Sequence, residues 1–217
     1  SAFLGRLNCL VIGPGLGRYD LMPEPLTAIV KMAVDKCIPL VIDADGLHYF
    51  SQISAQIENN AEIVLTPNII EFSRLWTSSG FDPEILIDKS TGKIQPLKGH
   101  CVELSKYFGN VTIILKSHED VITDGNSTML CGLKGSLKRC GGLGDILSGV
   151  VATFVAWKNI QRKTETLDLI EPAYLACNIV RLASKVAYEE HKRSTGALHV
   201  ISNLDNVIES IVPSQMK

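Results

Sequence analysis

A chain of 217 residues with 46% hydrophobic and 20% charged residues can bury a sizeable core, which argues against disorder and fits one domain over residues 1–217. Its formal net charge of −2 gives no electrostatic basis for nucleic acid or an anionic membrane as partner. No apolar stretch reaches the ~20 residues of a membrane span, and the six cysteines (Cys9, Cys37, Cys101, Cys131, Cys140, Cys177) lack CxxC spacing, so they read as reduced core thiols of an intracellular protein.

Strands and helices alternate along the chain. The opening SAFLGRLNCLVIG has the pattern of neither a signal peptide nor a transit peptide and runs straight into a strand over residues 9–12. Residues 25–36 carry helical spacing, and residues 40–43 predict a second strand. Residues 62–65 and 111–115 are runs of the length expected for buried parallel strands. Residues 97–108 predict a helix, while residues 77–96, broken by Gly80, Pro83, Gly92 and Pro96, read as a surface connection. Residues 121–123 and 128–131 bracket Asp124-Gly125-Asn126-Ser127 as a hairpin, and helices are expected over 146–157, 164–191 and 204–211. This alternation implies an α/β fold: a mostly parallel sheet with helices on both faces, without repeats or linkers.

Ligands of such sheets collect beyond the carboxyl ends of the strands, and the polar motifs fall there. GPGLG follows the first strand, DADGL the second, TPNIIEFSRL the third, and KSHEDVITDG the run ending at Leu115. Each is common alone: GxGxG is a frequent strand–helix turn, DxD often caps, and Asn-x-x-Glu starts helices. The densest motif is GSLKRCGGLGDILSG at residues 135–149, where four glycines surround Asp145 ahead of an apolar run. Glycines let backbone N–H groups approach a ligand, and at a helix N-terminus these groups suit a phosphate. Asp145, in the first helical turn beside that anion hole, is placed to take a proton from a hydroxyl as a phosphoryl group arrives. The competing reading is a turn with Asp145 as N-cap.

Other chemistries have less support. The five histidines (His48, His100, His118, His191, His199) show no metal-ligand spacing, and GPGLG lacks the GxGxxG spacing of a dinucleotide fingerprint. No GxSxG nucleophile elbow occurs. Trp76 and Trp157 read as core residues; Lys31, Lys36, Arg181 and Lys185 read as solvated helix faces.

In this order, GPGLG, DADGL, TPNxxEFxRL, KxxxD and GSxxRCGGxGDxLSG resemble the ATP-dependent NAD(P)H-hydrate dehydratases of the ribokinase-like superfamily, from about residue 7 onward. That resemblance implies conversion of the S hydrate of NADH or NADPH back to NADH or NADPH at the expense of ATP, in concert with an epimerase acting on the hydrates. Phosphorylating the ring hydroxyl replaces hydroxide, a poor leaving group, by phosphate. Asp145 would be the base, with the N–H groups of Gly142 to Asp145, Gly144 among them, holding the phosphoryl group. ATP would meet Lys116, Ser117, His118, Glu119 and Asp120, and the loop of Gly135, Ser136, Leu137, Lys138, Arg139, Cys140, Gly141, Gly142, Leu143 and Gly144. The hydrate would meet Gly13, Gly15 or Gly17, the segment Asn68, Ile69, Ile70, Glu71, Phe72, Ser73 and Arg74, and Asp145. Glu71 would support hydrated Mg²⁺ through water; a salt bridge to Arg74 is the alternative.

Three departures from the family pattern set further expectations. Family members continue upstream of GPGLG, so a shortened chain would leave an open sheet edge, with a mitochondrial location tied to a longer N-terminus. Ser117 stands where the family has glycine and would be strained by about 1 kcal/mol or more if its φ is positive. Leu143 replaces a residue that is usually polar or Met. A small-molecule kinase of the same superfamily and a catalytically silent binding protein remain as other readings, and the oligomeric state, homo-oligomer included, stays open.

Overall fold

Short apolar triplets make the first three strands, and their alternation builds two cores. The structure, a computed structural model, describes residues 4–57, 62–163 and 166–212. Strand β1 (Leu10–Ile12) is followed by α1 (Pro23–Val34), β2 (Leu40–Ile42), α2 (Asp45–Ile53), β3 (Ile63–Leu65) and α3 (Ile69–Ser78). A short pair, β4 (Ile87–Asp88) and β5 (Lys93–Ile94), precedes α4 (Lys98–Tyr107), β6 (Thr112–Leu115), β7 (Asp120–Thr123) and β8 (Thr128–Cys131). The chain then runs through α5 (Leu143–Ile160), α6 (Ile170–His191), α7 (Ala197–Ile201) and α8 (Leu204–Ile211).

The main sheet has the order β1-β2-β3-β6-β7-β8; the first four strands are parallel, and β7 and β8 are antiparallel. Successive side chains of a strand face opposite sides. Leu40 and Ile42 therefore enter a core with α1 to α4, while Val41 between them enters a second core with α5 and α6. Both faces are covered, as the alternation of elements requires. Among the described residues no helix is long and apolar enough to cross a membrane.

Several expectations change. The first strand starts one residue later than predicted, and α5 starts at Leu143, not residue 146, because Gly142 turns the chain into the helix at φ 87°. Thr164 and Glu165, the start of the predicted 164–191 helix, lie outside the described residues, as do residues 1–3. The 77–96 stretch is more than a surface connection: it finishes α3, contains β4 and β5, and buries Leu86. Helix α2 begins inside DADGL, which reads as a loop in the sequence. Trp76 is buried, but Trp157 is 44% exposed on the outer side of α5. Cys101, Cys131 and Cys177 are buried, with burial pushing the Cys101 thiol up to about 12, whereas Cys37 is exposed.

Candidate active site

The carboxyl ends of β1, β2, β3 and β6 and the N-terminus of α5 meet in one crevice. At β1, Gly13 sits at φ 123° so close to the next loop that a Cβ would lie 1.8 Å from the Asp43 carbonyl oxygen. Only glycine fits there, and the GPGLG and DADGL loops pack backbone against backbone. Asp45 then accepts hydrogen bonds from the Gly17 N–H (3.2 Å) and Arg18 Nε (2.8 Å). The buried Tyr49 of α2 completes the tie: its hydroxyl accepts from Tyr19 N–H at 2.6 Å. Neither Tyr49 nor Arg18 stands out in the sequence; the available signal was that a buried tyrosine hydroxyl needs a partner.

At β3, Asn68 caps α3. Its side chain accepts from Ile70 and Glu71 N–H, and Glu71 Oε2 accepts from Asn68 N–H at 2.7 Å. This capping box was legible as a helix-start pattern. No Glu71–Arg74 salt bridge forms among the described residues; Glu71 Oε2 lies 3.8 Å from Lys116 Nζ instead. Ile70 and Arg74 face solvent and Ile69 is half-buried, as is Ser73. Phe72 cannot meet a ligand: it is fully buried and stacks on Trp76 in the core. Arg18, Arg74, Glu71 and His48 line a groove of about 520 Å³ between α2 and α3 that opens beside this motif.

At β6, Lys116 extends the strand by pairing with Pro67 and Asn68, and its ammonium contacts Asp43 Oδ1 at 2.8 Å. Ser117 does not have a positive φ, so the expected strain is absent; its hydroxyl donates to the Glu119 carbonyl. Glu119 and His118 are exposed. Asp120 is largely committed to structure, because it accepts from Ser117 N–H at 3.0 Å and pairs with Arg181 Nε at 2.7 Å. Arg181, expected on a solvated face, also donates to the carbonyls of Ser117, His118 and Leu133.

In the glycine-rich loop, Gly135 and Ser136 lie against α6, with Ser136 N–H donating to Ser184 Oγ. Lys138 is not a free cation: its ammonium donates to the carbonyls of Arg193 and Thr195. Leu137 is 87% exposed and Arg139 and Gly141 are exposed, while Cys140 and Leu143 are half-buried. Gly142 is the N-cap of α5 and among the described residues no side chain caps this end, so the helix ladder begins at Ile146 N–H and the N–H groups before it have no partner within the helix. The N-cap reading of Asp145 is thereby displaced. Asp145 is exposed in the first turn, and among the described residues no hydrogen bond or ion pair holds its carboxylate.

Beneath that turn, a Cβ on Gly144 would lie 3.5 Å from Lys116 Nζ and 3.7 Å from Asp43 Oδ2. Asp43 is 2% exposed. Burial alone would raise its carboxyl, but the Lys116 ammonium and hydrogen bonds from Lys116 and Ser148 more than offset that and hold it below the usual range. Thus an uncapped helix terminus, a nearby ammonium and an unengaged carboxylate stand together.

A family model for NAD(P)H-hydrate dehydratase matches residues 1–206. The chain belongs to the NAD(P)H-hydrate dehydratase family. It is 36% identical over 205 residues to the ATP-dependent (S)-NAD(P)H-hydrate dehydratase of Mus musculus, covering 93% of this chain and 57% of that one. The Dictyostelium discoideum protein of the same name is 35% identical over 99% of this chain and 70% of its own length. The chain thus spans little more than half of the mouse relative. Among solved structures, a hydroxyethylthiazole kinase from Pyrococcus horikoshii OT3 superposes with TM-score 0.69 at 20% identity, over 96% of this chain and 77% of that one. A ribokinase-like superfamily protein from Enterococcus faecalis V583 superposes at 0.64 with 21% identity, over 98% and 66%. The family member therefore has the ribokinase-like α/β fold expected from its motifs.

Proposed function

We propose that the chain carries out ATP-dependent dehydration of the S hydrates of NADH and NADPH. The observation that carries this reading is Asp145: a carboxylate without a partner among the described residues, in the first turn of a helix whose N-cap makes no side-chain hydrogen bond, with the Lys116 ammonium close beneath. Asp145 takes the proton of the ring hydroxyl while the hydroxyl oxygen attacks the γ-phosphorus of ATP and ADP departs. The N–H groups of Gly142 to Asp145 and the Lys116 ammonium hold the charge that develops on the transferring group. The C–O bond then breaks with phosphate as leaving group while the neighbouring ring carbon loses a proton to water, restoring the ring double bond of the reduced nicotinamide; the net change is hydrate plus ATP to NAD(P)H, ADP, phosphate and a proton. The GPGLG loop, through Gly13, Gly15 or Gly17, and the accessible residues of the Asn68–Arg74 segment, Phe72 excepted, take the hydrate, while Lys116, Ser117 and the 135–144 loop take ATP.

Mg²⁺ fits one position. Both contacts of Glu71 fall on Oε2, which leaves a carboxylate oxygen for a hydrated cation, and Mg²⁺ is commonly held by one or two carboxylates plus phosphates. It would neutralise phosphate charge beside Glu71. The reading also places the protein inside the cell, where an epimerase interconverting the R and S hydrates would complement it.

The test is absorbance at 340 nm with S-NADHX, ATP and Mg²⁺. An ATP-dependent rise is expected. Asp145→Asn, which keeps the shape of the helix start, should lower the rate at least ~100-fold while leaving ATP binding near normal. A flat trace from folded, ATP-binding protein would refute the reading, and undiminished turnover by Asp145→Asn would remove Asp145 from the base role.

A further inference from the structure

The chemistry above uses Asp145, Lys116 and the start of α5, yet leaves aside the most buried carboxylate in the crevice. Asp43 stands at the end of β2, one strand in from the sheet edge, and is 2% exposed. A lone charge there is costly, and an apolar side chain would fill the same place without that cost. Its two oxygens serve two different elements. Oδ1 accepts from Lys116 Nζ at 2.8 Å at the end of β6, and Oδ2 accepts from Ser148 Oγ at 2.5 Å, one turn into α5. We propose that Asp43 is a positioning residue that fixes the Lys116 ammonium beneath the first turn of α5, through the pair it makes with Lys116 and the hydrogen bond it receives from Ser148.

Lysine needs such a partner because its ammonium sits on a flexible four-carbon stem with many rotamers. The competing anion, Glu71 of the Asn68–Arg74 segment, lies farther off, at 3.8 Å from the ammonium. Asp43 holds the charge on the α5 side instead, 3.5 Å from where a Gly144 Cβ would stand. Ser148 Oγ has a single proton and two acceptors within reach, Asp43 Oδ2 and the Gly144 carbonyl at 3.0 Å. Donated to Asp43, that proton sets the rotation of the α5 terminus relative to the ammonium. The backbone of Ala44, at φ 48° and ψ −122°, turns the chain so that Asp45 faces the other way, to Gly17 and Arg18. The two carboxylates of DADGL therefore serve opposite sides of the crevice. With both oxygens engaged and almost no exposure, Asp43 is not itself the base.

This inference rests on the phosphoryl-transfer reading for its kinetic arm only. A double-mutant cycle on the full chain compares wild type, Asp43→Asn, Lys116→Met and the double variant. Asp43→Asn is expected to lower kcat about 10- to 100-fold, as loss of a residue that orients a reacting centre does elsewhere, with the KM for the hydrate within about twofold. In the Lys116→Met background the same change should cost less than about twofold, because its route to the reaction is already gone. Additive losses, or a wild-type kcat in Asp43→Asn, would overturn the inference. The same four proteins titrated with ATP and Mg²⁺ by calorimetry give a second cycle, expected to be non-additive in Kd. That cycle decides the inference even if the wild type fails to turn over hydrate, in which case the proposed function falls separately. Should Asp43→Asn not fold, Ser148→Ala replaces it in both cycles, with a smaller loss and the same non-additivity expected.

Discussion

Ala44 has a backbone conformation that glycine adopts freely and alanine does not: φ is 48° and ψ is −122°. Such conformations cost of order 1–3 kcal/mol in a residue with a Cβ. Ala44→Gly removes that cost but adds ~0.5–1 kcal/mol of unfolded-chain entropy, so a net gain of about 1 kcal/mol is expected. For a chain of this size the gain corresponds to a rise in Tm of roughly 2–4 °C in a thermal melt. A fall in Tm would mean that the alanine methyl in the groove matters more than the strain. Individual residues also show where sequence reading stops. Asn68 and Glu71 were legible as a capping box because both partners lie within four residues of one another. Lys138 was not, because the carbonyls that occupy its ammonium come from Arg193 and Thr195, more than fifty residues away. Phe72 has the spacing of a motif residue, but spacing alone does not say that its ring turns into the core.

At the scale of elements, α6 does more than cover the sheet. Arg181 reaches from it to the β6–β7 turn, where it pairs with Asp120 at 2.7 Å and donates to the carbonyls of Ser117 and His118, and it also donates to the Leu133 carbonyl beyond β8. The turn that carries Lys116 and Ser117 is thus held from a helix that follows it by some sixty residues. Arg181→Met keeps most of the alkyl stem but strands the largely buried Asp120, so a loss of about 3 kcal/mol is expected in urea unfolding. Lys185→Met, one turn on, removes only an exposed 3.8 Å pair with Glu189 and should cost less than about 1 kcal/mol. Equal losses would refute the clamp. Helical periodicity indicates which face of α6 is apolar, but not that a turn lies against its flank.

At the scale of the whole molecule, Asp43 links β2, β6 and α5, and its titration connects the crevice to global stability. Its folded carboxyl is held below the usual range, despite burial, by Lys116 and the hydrogen bonds it receives. A depressed folded value contributes stability that is fully present above the unfolded value of about 3.9 and is lost as the pH falls through the folded one. Between about pH 5 and pH 2.5, the Tm of the wild type should therefore fall more steeply than that of Asp43→Asn. Parallel slopes in differential scanning calorimetry would show that the pair does not contribute to acid stability.

Composition, the period-two and helical patterns, and five glycine- and acid-bearing motifs by themselves determined an α/β chain with a glycine-rich helix start, since those signals are local and need only neighbours along the backbone. Which charged groups are free was decided only by tertiary structure. Lys138, Arg181, Asp120 and Asp43 are all committed to distant partners, whereas Asp145 has none among the described residues. The reason is physical: the reactivity of a charge depends on its partners and its access to water, and both are set by segments that meet only when the two cores close on the sheet.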